Sequence, residues 1–165
     1  MSTGARSAHV AATPAPDWGI LLTAALGVFK EELHAQLARA GYDDLGPSFG
    51  FVFRSLAERP LSLVELAARL GVTSQGALKI VAEMEERGYV VRQDDPDDGR
   101  VRRMALSVRG RAALREARRF HLSAERRLVQ SVGAKQVRAA REVLSAMVEQ
   151  GAADPASRTA RARAF

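Results

Sequence analysis

The sequence predicts a mainly α fold with a small β wing, and three observations carry that prediction. Aromatic residues make up only 5% of the chain while Ala, Leu and Arg are abundant, a balance that favours helices over a β-sandwich. Apolar residues recur at spacings of three and four through most of its length. One alternating stretch, divided by "PDDG" at 96–99, breaks that period and reads as a hairpin. At 165 residues and 47% hydrophobic content the chain has enough apolar mass for roughly one domain.

Residues 1–16 are small, polar and punctuated by proline, and are expected to form a disordered arm. Residues 151–165, "GAADPASRTARARAF", are expected to form a disordered basic tail, leaving 17–150 as the domain. Asp17 caps a first helix in which Leu22, Leu26, Phe29, Leu33 and Leu37 share a stripe, and Gly41 ends it. A second helix is expected from Ser48, with Phe49, Val52, Phe53 and Leu56 on one face. "SFGFVF" is aromatic enough for a strand, but Gly50 weakens a strand and the helical spacing continues until "ERP" closes it.

Ser62 and Glu65 then form a capping box for a short helix with Val64, Leu66, Ala67 and Leu70 as its apolar positions. Gly71 turns the chain, and Thr73 caps a longer helix that buries Ala77, Ile80, Val81 and Met84 before stopping at Gly88. Two helices joined by a short glycine turn make a helix-turn-helix, and "YVVRQDD" with "RVRRMALS" supplies a hairpin beside it, the wing. The winged helix-turn-helix domain is thus expected over 47–106. In the following helix Ala113, Ala117, Phe120, Ala124 and Leu128 form a seam of mostly small residues; Gly133 breaks it, and Val137, Ala140, Leu144 and Met147 begin another. A small domain has no need of such seams at both ends. Segments 17–40 and 107–150 are therefore expected to form a dimerisation region, the alternative being that all three helices pack within one chain.

Net charge is +6, yet residues 100–119 hold eight arginines against one acid, Glu116, so this short stretch carries +7 and the rest sums to −1. A basic face of this kind suits a solvated helix, a nucleic acid or an anionic membrane; its attachment to a helix-turn-helix favours double-stranded DNA. The first turn of the second helix of such a motif faces base edges. There "TSQG", Thr73, Ser74, Gln75 and Gly76, offers donors and acceptors with little bulk. Gln75 has the geometry to pair with an adenine edge, Gly76 allows close backbone approach, and Lys79 lies within reach of a phosphate or a guanine. At the wing tip an arginine is drawn to the potential of a narrow minor groove. Asp98 and Arg100, two apart in the hairpin, share a face on which the carboxylate can hold the guanidinium, while Arg102 and Arg103 follow down the strand towards phosphates.

With no cysteine, the chain has no disulfide, thiolate or thiol-switch chemistry. His9, His34 and His121 show no paired ligand spacing, and there is neither a glycine-rich phosphate loop nor a Ser/His/Asp set, so no metal, no cofactor and no enzyme activity are expected. The longest apolar run, Ile20 to Phe29, is about half a membrane span, so no membrane partner is expected and the cytoplasm is the expected location. A rival reading makes the winged surface a protein-interaction module for an acidic partner; counterion release separates the two, because only DNA binding weakens steeply with salt.

From about Leu33 to Met147 the chain resembles the MarR family of winged helix-turn-helix regulators. The resemblance rests on "LSLVELAARLGV" and on "EERGYV", "DPDDGR" and "ALSVRGR" in that family's order and spacing. It implies a homodimer joined through its terminal helices, reading a pseudo-palindromic operator as a repressor and released by a small aromatic or phenolic effector. It also implies that Asp98 and Arg100 are the wing-tip pair and Lys79 the basic position of the recognition helix. Trp18, Phe29, His34, Phe49 and Phe51 are the residues expected to line the effector pocket. Leu78 departs from the pattern where a small polar residue is usual, and Glu83 where a basic one is, so base preference is not inherited.

Overall fold

A computed structural model describes residues 17–95, 98–99 and 101–153; the arm, most of the expected tail and Arg100 lie outside the described residues. The chain divides into two compact units, Met1–Glu32 and Leu33–Phe165. Helix α1 (Trp18–Arg39) begins in the first and ends in the second, and its entry is capped as expected, with the Ile20 N–H donating to Asp17 Oδ1 at 2.9 Å. Gly41, at φ 84°, takes the chain out of the helix in a conformation that suits glycine.

The second unit continues with α2 (Phe49–Leu56), β1 (Leu61–Ser62), α3 (Leu63–Leu70), α4 (Ser74–Glu86), β2 (Val90–Asp94), β3 (Arg102–Leu106), α5 (Val108–Val132) and α6 (Ala134–Ala153). "SFGFVF" is helical, and Phe49, Val52, Phe53 and Leu56 are all buried. The capping box forms in both directions: Ser62 Oγ accepts from the Glu65 N–H at 3.3 Å and Glu65 Oε2 accepts from the Ser62 N–H at 2.8 Å. Leu66 and Ala67 are buried, whereas Val64, expected beside them, is exposed, because so short a helix turns only one face inward. On α4 the expected Ala77, Val81 and Met84 are fully covered and Ile80 is partly so.

The wing is a three-stranded antiparallel sheet rather than a bare hairpin, in the order β1-β3-β2, with Leu61 opposite Met104 and Ser62 opposite Arg103. Ser62 thus closes a strand and caps a helix at once. Leu61, Val90, Met104 and Leu106 join the core from this sheet, and Tyr89 from the bend before β2. Helix α5 then presses its first turn onto backbone: a Cβ on Gly110 would lie 2.1 Å from the Tyr89 carbonyl oxygen. Ser107 secures that turn by accepting from the Gly110 N–H at 2.9 Å and donating to the Gly88 carbonyl at 2.6 Å.

The expected seam of α5 is split. Ala113, Phe120 and Ala124 are buried within the chain, but Leu128 is 52% exposed, and on α6 Leu144 and Met147 are also open to solvent. Helix α6 runs on to Ala153, past the point where the tail was expected to begin.

Candidate nucleic-acid interface

Thr73 Oγ1 accepts from the Gly76 N–H at 3.1 Å, fixing the start of α4. With Ala77, Val81 and Met84 locked into the core, the outward face presents Ser74, Gln75, Leu78, Lys79 and Ala82. Lys79 has no ion-pair partner among the described residues, whereas two of the three acids further along are matched: Glu83 with Arg87 at 2.7 Å and Glu85 with Arg92 at 2.8 Å. Positive potential is therefore left at the N-terminal half of the helix, where the helix dipole adds to it. A methyl group at Gly76 would meet Thr73 and Val72 at ordinary contact distances, so packing does not demand glycine there.

On the wing the expected arginines have different roles. Arg102 stays exposed and pairs across the hairpin with Asp94. Arg103 corrects the expectation of a phosphate contact, because its guanidinium is turned inward to the buried Asp95 and to Glu65 at 3.3 Å, bolting the wing to α3. Asp95 in turn accepts from the Asp98 N–H at 3.4 Å, and the Val101 N–H donates to the Asp98 carbonyl at 2.9 Å, which shapes the described part of the tip. Asp98 is exposed there; its expected partner Arg100 lies outside the described residues. Glu65 is held down at about 2 by the Ser62 N–H first, then by Arg59 and the Ser62 hydroxyl.

A second network anchors the far end of α4. The Tyr89 hydroxyl donates to Asp44 Oδ1, Arg109 Nη2 donates to the same carboxylate at 3.1 Å and to the Tyr89 oxygen at 3.0 Å, and Arg87 donates to the Asp44 carbonyl. The Arg109 guanidinium also lies over the Tyr89 ring, 4.7 Å from its centroid. Burial raises the Asp44 carboxyl, but the Tyr89 hydroxyl and Arg109 outweigh it and hold the group below its ordinary value. Burial, reinforced by the bond to Asp44, pushes Tyr89 up to about 12. The segment before α2, the end of the recognition helix and the first turn of α5 are thereby tied at one point.

The model of the MarR family matches residues 51–101. A solved MarR family protein from Mycobacterium tuberculosis, in complex with salicylic acid, is 30% identical, covering 81% of this chain and 97% of that one at a TM-score of 0.55. The chain belongs to the MarR family. Two further structures share its fold: Streptococcus pneumoniae FabT in complex with DNA (TM-score 0.64, 18% identity, 81% and 96% covered) and an Escherichia coli MarR mutant with operator DNA (0.61, 19%, 78% and 91%). No curated protein sequence matches the chain. MarR proteins are DNA-binding transcriptional regulators and not enzymes, which is the class to which the exposed face of α4 and the wing belong. Among the described residues no helix is long and apolar enough to cross a membrane.

Within this MarR chain the residues expected at an effector pocket part company. Phe49 is buried in the winged core, edge-on to Phe53 and Tyr89 and covered by Arg87, so it packs the domain. Trp18, His34 and Phe51 are exposed and Phe29 is half-buried. Sequence reasoning missed Asp44, Tyr89, Arg109 and Gly110. Their signal, a tyrosine just after a helix-ending glycine and "VRGR" opening the next helix, was visible only as family resemblance.

Proposed function

We propose that this chain acts as a homodimeric transcriptional repressor that grips a pseudo-palindromic double-stranded operator and lets go when a small aromatic or phenolic compound binds. The observation that carries the DNA reading is α4: polar Ser74 and Gln75, and Lys79, which has no ion-pair partner among the described residues, stand on a face whose back is locked in the core, while Glu83 and Glu85 beyond them are paired with arginines. In this reading Gln75 addresses an adenine edge, Lys79 a phosphate or guanine, and the wing brings Asp98, Arg100 and Arg102 to the adjacent minor groove and backbone. Pairing of two copies is supported by the open apolar seam of Leu128, Val132, Val137, Ala140, Leu144 and Val148, which borders a groove of about 530 Å³. Effector release is supported by the salicylic acid held by the Mycobacterium tuberculosis relative.

The test is a titration of the full chain against duplex from its own upstream region and against random duplex, between about 50 and 200 mM salt. Affinity is expected to fall with a log–log slope of several; a flat slope would hand the winged surface to the rival reading, an acidic protein partner. Arg100→Ala is expected to weaken operator binding by about 1–3 kcal/mol. In transcription reactions the bound promoter should fall silent, and salicylate should restore it.

A further inference from the structure

Leu78 is out of character with its surroundings. It lies on the exposed side of α4, one turn beyond Gln75 and next to Lys79, with 42% of its surface open to solvent. The core beneath is closed without it, since Ala77, Val81 and Met84 are already fully covered. Ala82, one turn further on, is exposed and too short to shield it. A branched apolar side chain standing nearly half open among polar and cationic ones is not needed to close that core, and its open part is free for what the face meets.

In the major groove the apolar feature of a base pair is the C5 methyl of thymine. Three helical residues advance about 4.5 Å, close to the roughly 3.4 Å of one base-pair step, so side chains at 75 and 78 address neighbouring pairs. We propose that Leu78 is a specificity-determining residue that packs on a thymine methyl beside the base pair addressed by Gln75. The inference rests on the DNA-binding reading above and adds to it a preference that no hydrogen bond encodes. Burial of one methyl is worth about a fourfold gain in affinity for each half-site.

The experiment uses a duplex selected from a random pool by the full chain, remade with deoxyuridine in place of each thymidine in turn, which deletes only the methyl. One position per half-site is expected to lose about fourfold on replacement while the others do not change. Leu78→Ala should bind both versions alike while remaining folded, with only a small fall in melting temperature because the side chain is partly open, and Leu78→Met should restore the discrimination. If Leu78→Ala does not fold, the deoxyuridine series with the unaltered protein decides alone. Equal affinity for the thymidine and fully deoxyuridine duplexes overturns the assignment of Leu78 and leaves DNA binding standing. Failure to retain any duplex at low salt overturns both.

Discussion

The winged region and the end of the molecule formed by the last turns of α5 with α6 treat apolar residues in opposite ways. In the first, Leu66, Val81, Met84 and Tyr89 are fully covered, and several charges find partners across elements, Arg103 with Asp95 and Arg109 with Asp44. In the second, Leu128, Leu144 and Val148 stand in the open beside a groove. Both segments carry the same helical period, so periodicity alone does not distinguish a core from an open surface. What distinguishes them is whether other parts of the same chain arrive to cover the stripe. A reading head that completes its own core can hold recognition residues still, whereas an open seam gains its stability only when a second surface excludes water from it.

That contrast can be attacked from both sides. The largest effect is expected at Gly110→Ala, where the added methyl meets the Tyr89 backbone and α5 must be displaced; a loss of about 3 kcal/mol or more in thermal or urea unfolding is expected, and a variant as stable as the parent would refute the close approach. Next, Leu144→Glu places charge in the seam and forfeits apolar burial of about 2–3 kcal/mol, so sedimentation should show monomer with helical content retained. A dimer that persists unchanged would remove the seam from the interface.

Smaller effects probe the self-sufficient side. Tyr89→Phe breaks the hydroxyl's links to Asp44 and Arg109 and should cost about 1–2 kcal/mol; Asp44→Asn should cost a similar amount, and the double variant much less than the sum. Strict additivity would show that the three groups do not act as a unit. Last comes acid sensitivity. Glu65 is held at about 2 against an ordinary 4.5, so its stabilising effect is complete above about pH 4.5 and disappears as the pH falls towards 2. Glu65→Gln preserves the shape of the capping box without the charge. It should melt below the parent at pH 7, with the gap closing between pH 4.5 and 2; a constant gap would assign the effect to shape and not to ionisation.

The parts legible beforehand share one property: their logic spans a turn or less. Thr73, Ser62 with Glu65, and the buried faces of α2 and α4 are set by interactions three or four residues apart, and each was readable from spacing. Strand β1 was not, because two residues become a strand only when β3 lies beside them. Nor was the role of Arg103: its neighbours in sequence suggest a row of phosphate-binding cations, and only the fold brings Asp95 and Glu65 against it. The packing of Phe49 was not legible for the complementary reason, since an aromatic ring looks the same in sequence whatever it packs against.

Local chemistry in the chain was thus sufficient to specify where helices begin and stop, which of them form the helix-turn-helix, and that its second helix opens with exposed polar residues and a lysine. Folding in three dimensions decided which cations pair with distant acids, which half of the α5 stripe is covered, and that Asp44, Tyr89 and Arg109 meet although Asp44 and Arg109 are 65 residues apart. The physical reason is range: caps and periodicity act over a few ångströms of continuous backbone, while charge pairing and burial depend on which distant surfaces the topology presses together.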